Sequence, residues 1–302
     1  MKNCTSYNLS GNKPLKDISP NQQMNRKNAN KTQDYPKISI VIPSLNQGQF
    51  IEQTITSILS QKYPNTELII IDGGSTDETM KVVKKYRNKI AYFISEKDSG
   101  QSEAINKGMK KATGEILAYL NSDDYYLPGT FKKVADFFNQ HADDVDLLYS
   151  DVYLVDVNGK FLNYAPALNF RPDEYVYRVF SIPQQGAFWT RKAYNQVGGF
   201  REDNHADMDG EFFLHLSLAG GKFCFIREPL ACFRIHSTSK TGTYRHKKEF
   251  IENYIKERTE VFGKNPSMLH VTLKILYLRL RNIPHKTYRR MLAPKLPRNY
   301  NS

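Results

Sequence analysis

The sequence predicts an α/β protein: a mostly parallel sheet with helices on both faces, followed by a basic helical C-terminal extension. Three observations carry this. From about residue 37, short β-branched runs alternate with stretches whose apolar residues fall at helical intervals. Each early strand-like run ends in Gly, Ser, Asn or Asp, which is how an open parallel sheet presents polar groups at one edge. The chain has 302 residues, 40% of them hydrophobic, enough for a substantial core.

Residues 1–36 are rich in Asn, Lys, Gln and Ser without a period and read as a disordered polar tail. Ile38 to Ile42 is a buried strand. "QGQFIEQTITSILSQ" spaces Phe50, Ile51, Ile55, Ile58 and Leu59 as one helix face. "ELIIIDGGSTDET" is a strand ending in a turn, and "TDETMKVVKKY" is the next helix. Ile90 to Ser95 is a third strand. "SGQSEAINKGMKKATG" is a helix closed by Gly114, "EILAYLNSDD" a fourth strand and "LPGTFKKVADFFNQ" a helix. After Asp146 the rhythm changes. Asn158-Gly159 between apolar runs signals a hairpin, and the segments 184–200 and 207–223 mix strand and helix. The expected organisation is a tail (1–36), a folded domain (37–243) with halves at 37–125 and 126–243, and an extension (244–302).

The formal net charge is +12. Asp17 and Asp34 are the only acids among residues 1–37, and basic residues dominate again from Lys240. Nucleic acid, an anionic membrane surface or an anionic substrate could answer such a charge. No zinc-finger or RNP motif is present, so no nucleic-acid partner is expected. No apolar run approaches a membrane span and there is no secretory h-region, which predicts a cytoplasmic protein. Cys4, Cys224 and Cys232 have no metal-ligand spacing and are expected to be reduced thiols.

Chemistry is expected where four strand ends converge. They supply Pro43, Ser44 and Asn46; Asp72, Gly74 and Ser75; Asp98, Ser99 and Gly100; and Asn121, Ser122, Asp123 and Asp124. Gly73-Gly74 makes a turn and Ser75, Thr76 or Asp77 caps a helix, which leaves Asp72 placed to meet a base N–H or a ribose hydroxyl. Neither a Walker-A lysine nor GxGxxG occurs, which argues against ordinary nucleoside-triphosphatase and dinucleotide sites. Asp123 and Asp124 repel each other, a cost that a hard divalent cation removes. The plain alternative, a helix cap before Pro128, needs only one carboxylate.

"ISIVIPSLNQGQFIEQTITSILSQKYPNTELIIIDGGSTDET", "SEKDSGQSEAINKGMKKATGEILAYLNSDD", "QQGAFWTRKAYNQVGGF" and "MDGEFFLHLSLAG" together resemble the family 2 glycosyltransferases over about residues 37–240. The resemblance implies a GT-A type, Rossmann-like fold and inverting transfer from a nucleotide sugar. It implies that Pro43 to Asn46 and Asp72 contact base and ribose, with Gly74, Ser75, Ser99 and Gly100 in the same donor site. The family's DxD motif falls on Asn121-Ser122-Asp123. Asp123 then binds Mn2+ or Mg2+, Asp124 supports the sugar or the loop, and the amide of Asn121 replaces an acid. The general base aligns with Asp209, with Asp207 and Glu211 as rivals. His236 is a candidate second metal ligand, a lone histidine being structural as readily. Gln184, Gln185 and Trp189 resemble the acceptor wall, although Trp189 suits a core equally.

The implied partners are a nucleotide-sugar donor, UDP-linked by expectation, and a glycan or lipid-linked acceptor in cell-surface polysaccharide or glycoconjugate synthesis. A sugar nucleotidyltransferase and a catalytically silent nucleotide- or carbohydrate-binding relative are the alternatives. In the extension, Leu269, Leu273, Ile275, Leu276, Leu278 and Leu280 alternate with Arg279 and Arg281, ahead of Arg289 and Arg290. This suits a helix on the inner face of the cell membrane, or a helix packed on the domain.

Overall fold

In the computed structural model, which describes residues 3–5, 35–141, 144–179, 182–237 and 247–292, β-branched runs form the centre of the molecule. The chain runs β1 (Asn3–Thr5), β2 (Ile38–Ser44), α1 (Ile51–Leu59), β3 (Thr66–Asp72), α2 (Thr79–Lys85), β4 (Tyr92–Ser95), α3 (Gln101–Lys111), β5 (Ile116–Tyr119), β6 (Tyr125–Tyr126) and α4 (Thr130–His141). It continues through β7 (Leu147–Val155), β8 (Phe161–Ala165), α5 (Pro172–Tyr175), β9 (Phe188–Thr190), α6 (Arg191–Val197), α7 (Met208–Leu218) and β10 (Phe223–Arg234). Two helices follow, α8 (Lys247–Phe262) and α9 (Met268–Leu292). Apart from Asn3–Thr5, the predicted tail lies outside the described residues.

The sheet order is β1-β10-β7-β9-β5-β2-β3-β4, with β6 beside β10 and β8 beside β7. β4, β3, β2 and β5 form one parallel block, and β7 and β10 form another. β9 lies between them, antiparallel to both β5 and β7, so the two blocks point the same way. All six parallel strands therefore deliver their carboxyl ends to one edge.

Alternation explains why both faces are covered. Val41, Ile69 and Ile71 face a core completed by Ile105 of α3, Trp189 of β9, and Phe212 and Leu216 of α7. Ile40, Ile42, Leu68 and Ile70 face the opposite core, with Ile51 and Ile55 of α1, Val83 of α2, and Phe131 and Val134 of α4. α3 lies so close to the sheet that a Cβ on Gly108 would sit 2.3 Å from Val41 Cγ1. The Asn158-Gly159 turn joins β7 to β8 as expected; Gly159 has φ 79°, and Asp156 Oδ1 accepts from the Asn158 and Lys160 amides at 2.9 and 2.8 Å.

One expectation is corrected here. Cys224 is disulfide-bonded, whereas Cys232 is a buried free thiol. The reason is the β1–β10 pairing, which sets the Cys4 backbone opposite that of Cys224 and which no spacing rule reveals.

Candidate donor and catalytic site

The loops after β2 and β3 are tied into one rim. Asn46 has φ 53°, which an asparagine tolerates. Its amide donates to Ser75 Oγ at 2.7 Å, and its Oδ1 accepts from the Thr76 amide at 2.9 Å. The Gly48 amide donates to Asp77 Oδ2 at 2.9 Å, and Asp77 Oδ1 accepts from the Thr79 amide at 3.0 Å at the start of α2. Pro43 is buried in β2. Ser44 is 5% exposed beside Asp72, and its hydroxyl has no partner among the described residues.

Asp72 is fully buried and already engaged. Its carboxylate accepts from the Gly74 amide at 3.1 Å, the Ser75 amide at 2.9 Å, Ser75 Oγ at 2.5 Å and Ser95 Oγ at 2.6 Å. It shapes the turn that carries Gly74, at φ 87°, and Ser75. The sequence predicts a residue open to base or ribose, and the geometry makes it the anchor of that wall. Next to it, burial pushes the Asp98 carboxyl up, with its Oδ1 accepting from the Gly100 amide at 3.0 Å. Ser99 donates from both its amide and its hydroxyl to Glu103 at 2.6 Å, closing the start of α3.

After β5 the chain turns, with the Asp124 amide donating to the Asn121 carbonyl at 3.1 Å. That turn sends the two carboxylates apart. Asp124 is fully buried. Its Oδ1 accepts from the Arg234 amide at 2.8 Å, and its Oδ2 from Gln185 Nε2 at 3.0 Å and Asn121 Nδ2 at 3.4 Å. Burial pushes the Asp124 carboxyl well above the ordinary range and the Asp123 charge adds to this, while those hydrogen bonds oppose it. Thr54 Oγ1 donates to the carbonyls of Ser122 and Asp124 at 2.9 and 2.7 Å, pinning the turn to α1. Asn121 Oδ1 accepts from Gln101 Nε2 at 2.5 Å at the start of α3.

Asp123 instead keeps its carboxylate at the rim, with Oδ2 2.9 Å from His236 Nε2. The His236 ring lies 4.9 Å from that of Phe50. Arg234 holds the arrangement from below and was given no role by the sequence reading. It is 2% exposed, and its Nε donates to the Asp123 carbonyl at 2.8 Å and its Nη1 to the Val157 carbonyl at 2.8 Å. Its Nη2 donates to Gln53 of α1. The signal available was an arginine inside the apolar run "LACFRI", where a charge survives only if fully hydrogen-bonded.

The acidic opening of α7 separates into distinct tasks. Asp207 is ion-paired with Arg178 and accepts from Tyr175 OH at 2.5 Å. Glu211 is paired with Arg201 at 2.8 Å and accepts from Asn204 Nδ2 at 2.8 Å. Both rivals of Asp209 are therefore committed to arginines. Asp209 sits in the first turn of α7, half-buried. Burial raises the Tyr119 phenol well above its ordinary range, and the charges of Asp209, Asp124 and Asp207 add to it. Tyr119, the last residue of β5, thus feels both the donor-site and the α7 carboxylates.

A model of the glycosyl transferase family 2 matches residues 39–221, which include the strand ends from Pro43 to Asp124 and the opening of α7, with Arg234 and His236 beyond it. The chain belongs to glycosyl transferase family 2. Among its relatives, an uncharacterised glycosyltransferase of Rickettsia bellii is 36% identical over 46% of this chain and 20% of its own length. The poly(ribitol-phosphate) β-N-acetylglucosaminyltransferase TarS of Staphylococcus aureus is 34% identical over 37% of this chain and 20% of its own. The match thus spans about a fifth of the length of these curated relatives.

In solved structures, S. aureus TarS 1-349 in complex with UDP-GlcNAc is similar with a TM-score of 0.63 at 20% identity, over 83% of this chain and 74% of that one. The mannosyltransferase PcManGT of Pyrobaculum calidifontis, in complex with GDP-Man and Mn2+, follows with a TM-score of 0.57 at 17% identity, over 87% and 77%. The fold of this family 2 glycosyltransferase is accordingly of GT-A type.

On the predicted acceptor side, Gln184 and Gln185 are buried and bind the protein itself. Gln184 Nε2 donates to the Tyr119 carbonyl at 2.8 Å and Gln185 to Asp124. Trp189 takes the core alternative. It has no exposed surface and packs among Tyr119, Phe200 and Phe212, so it cannot stack on a sugar. Lys240 and Arg245, cations that could hold a phosphate, lie outside the described residues.

Proposed function

We propose that this protein transfers a sugar from a UDP-linked donor to a hydroxyl of a glycan or lipid-linked acceptor with inversion, in cell-surface polysaccharide or glycoconjugate synthesis. The observation that carries the reading is the rim pair Asp123–His236, 2.9 Å apart, set in front of the buried Asp124. The complexes of TarS with UDP-GlcNAc and of PcManGT with GDP-Man and Mn2+ support a nucleotide-sugar donor and a divalent cation.

Asp123 and His236 would hold such a cation. The carboxylate oxygen suits Mn2+ or Mg2+, and the imidazole nitrogen favours Mn2+, the softer of the two. No cluster of three or more ligating side chains occurs among the described residues; oxygens of the donor's diphosphate and water would supply the other ligands. When bound, the cation neutralises charge on the leaving diphosphate. Asn121 adds no charge, consistent with a cation that arrives with the nucleotide.

The remaining steps belong to side chains. The rim from Ser44 to Ser75 and from Ser99 to Gly100 holds base and ribose. Asn121, Ser122 and Asp124 set the height of Asp123. Asp209 accepts the proton of the acceptor hydroxyl as that oxygen attacks the anomeric carbon from the face opposite the leaving diphosphate. Its place in the first turn of α7 favours the ionised form that a base requires.

A panel of nucleotide sugars assayed for donor hydrolysis with Mn2+ tests the donor class, and UDP-linked sugars are expected to be turned over. Asp209→Asn should lower transfer by about 10²–10⁴-fold with UDP binding by calorimetry unchanged. Near-normal turnover in that variant would remove Asp209 from the base role. Asp123→Ala and His236→Ala should each weaken Mn2+-dependent UDP binding.

A further inference from the structure

α9 is apolar on two opposite sides, and only one of them is used. Leu278 is fully buried, Val271 is 7% exposed, and both join the core with Ile275 packed against it. His270 Nε2 lies 3.2 Å from Tyr177 OH, and Arg281 pairs with Glu174 of α5. The helix is therefore fixed in rotation on the domain. Its other side presents Leu269, Leu273, Leu276, Leu280 and Ile283, each between 53% and 71% exposed. They follow one another at spacings of four, three, four and three, a continuous stripe along the helix. The sequence expected one apolar face here; the inward face is Val271, Ile275 and Leu278, and the stripe is a second.

The charges beside the stripe decide what covers it. From Gly263 to Ser302 the chain contains no Asp or Glu, while Lys264, Lys274, Arg279, Lys286 and Arg289 are among its cations, Arg281 being already paired with Glu174. A second copy of the same helix would bring cations against cations, and the helix itself carries no acid to relieve them. An anionic bilayer matches both features, because acyl chains take the leucines and lipid phosphates take the lysines and arginines. No helix among the described residues is long and apolar enough to cross a membrane, so the contact is one of lying on the surface.

We infer that α9 docks the protein onto an anionic lipid surface, with the Leu269–Ile283 stripe in the headgroup–acyl boundary. This goes beyond the transfer reaction, and its test involves no turnover. The full chain is floated with vesicles of phosphatidylcholine alone or of equal parts phosphatidylcholine and phosphatidylglycerol, at low and at raised salt. The bound fraction should be at least about tenfold higher on the anionic vesicles and fall with salt. The triple variant Leu273→Ser, Leu276→Ser, Leu280→Ser changes only exposed positions; it should keep its melting temperature and lose vesicle binding. Arg279→Glu should weaken binding without abolishing it.

Absence of binding to anionic vesicles would overturn the inference, as would equal binding to neutral ones or binding untouched by the triple variant. Self-association that the triple variant abolishes, without vesicle binding, would assign the stripe to a second copy instead. Capture of an acidic protein in place of vesicles would overturn it equally.

Discussion

Asp124 accepts from the Arg234 amide and the Gln185 amide group inside the protein, while Asp123, one residue earlier, meets His236 at the rim. Asparagine at the two positions should therefore behave differently. Asp124→Asn turns one acceptor oxygen into a donor facing N–H groups, and should cost about 1–3 kcal/mol in urea unfolding. Asp123→Asn should leave that stability nearly unchanged and lose Mn2+-dependent nucleotide binding. Gly210 is a second sharp case. A Cβ there would lie 2.0 Å from Tyr175 OH and 2.6 Å from Asp207 Oδ2, so Gly210→Ala should lower stability by about 1–3 kcal/mol and disturb the start of α7. The strand-end polar residues were legible in the sequence because local order alone puts them at one edge. The inward and outward fates of Asp123 and Asp124 were not, because Arg234, Gln185 and His236 come from distant segments. The sequence leaves Trp189 between wall and core for the same reason: its neighbours Phe200 and Phe212 enclose it only once α7 has packed.

At the level of elements, the family match ends at residue 221, yet α8 reaches back to the acidic opening of α7. Arg178, at φ 57°, pairs with both Asp207 and Glu257 and lies 3.6 Å over the Tyr254 ring. Burial is the largest influence on Glu257 and pushes its carboxyl up to about 8; the Arg178 charge works against this, and the Asp207 and Glu211 charges add to it. Glu257 Oε1 has no partner among the described residues, so no hydrogen bond there offsets the cost of burying the charged form. A carboxyl raised in the folded state binds more protons there than in the unfolded chain. Its contribution is fully present below the ordinary value near 4.5 and is lost as pH rises through about 8. The melting temperature should therefore decline across that window, and Glu257→Gln should flatten the decline. If the variant falls as steeply as the parent, Glu257 is not the group responsible. Strands and helices from β2 to α4 could be read from periodicity, whereas β6 and β9, of two and three residues, are too short to show a period.

Across the whole molecule, the C-terminal helices are coupled to the loop that leads into α7. Glu249 of α8 accepts from the amides of His205 and Ala206 at 2.6 and 3.2 Å, and Asn253 donates to Asn204 at 3.0 Å. Glu249→Ala should speed hydrogen exchange at the His205 and Ala206 amides and leave the amides of β2 and β3 unchanged. The sheet itself is expected to be parallel, but its division into two blocks is not, because the strand between them runs against the others and comes from residues 188–190, later in the chain than both strands it separates. β9 meets β5 through two register pairs and β7 through two more, and Trp189 belongs to one pair on each side. Such a narrow join has a kinetic meaning. The block from β2 to β5 is contiguous in sequence and can form early, whereas β7 and β10 join it through β6, which pairs with β10, and through residues 188–190, which must thread between the blocks. Trp189→Ala, expected to cost about 3–5 kcal/mol, should then act mainly by speeding unfolding, with the folding limb of the chevron little changed. The last strand to enter the sheet would be the first place at which it parts.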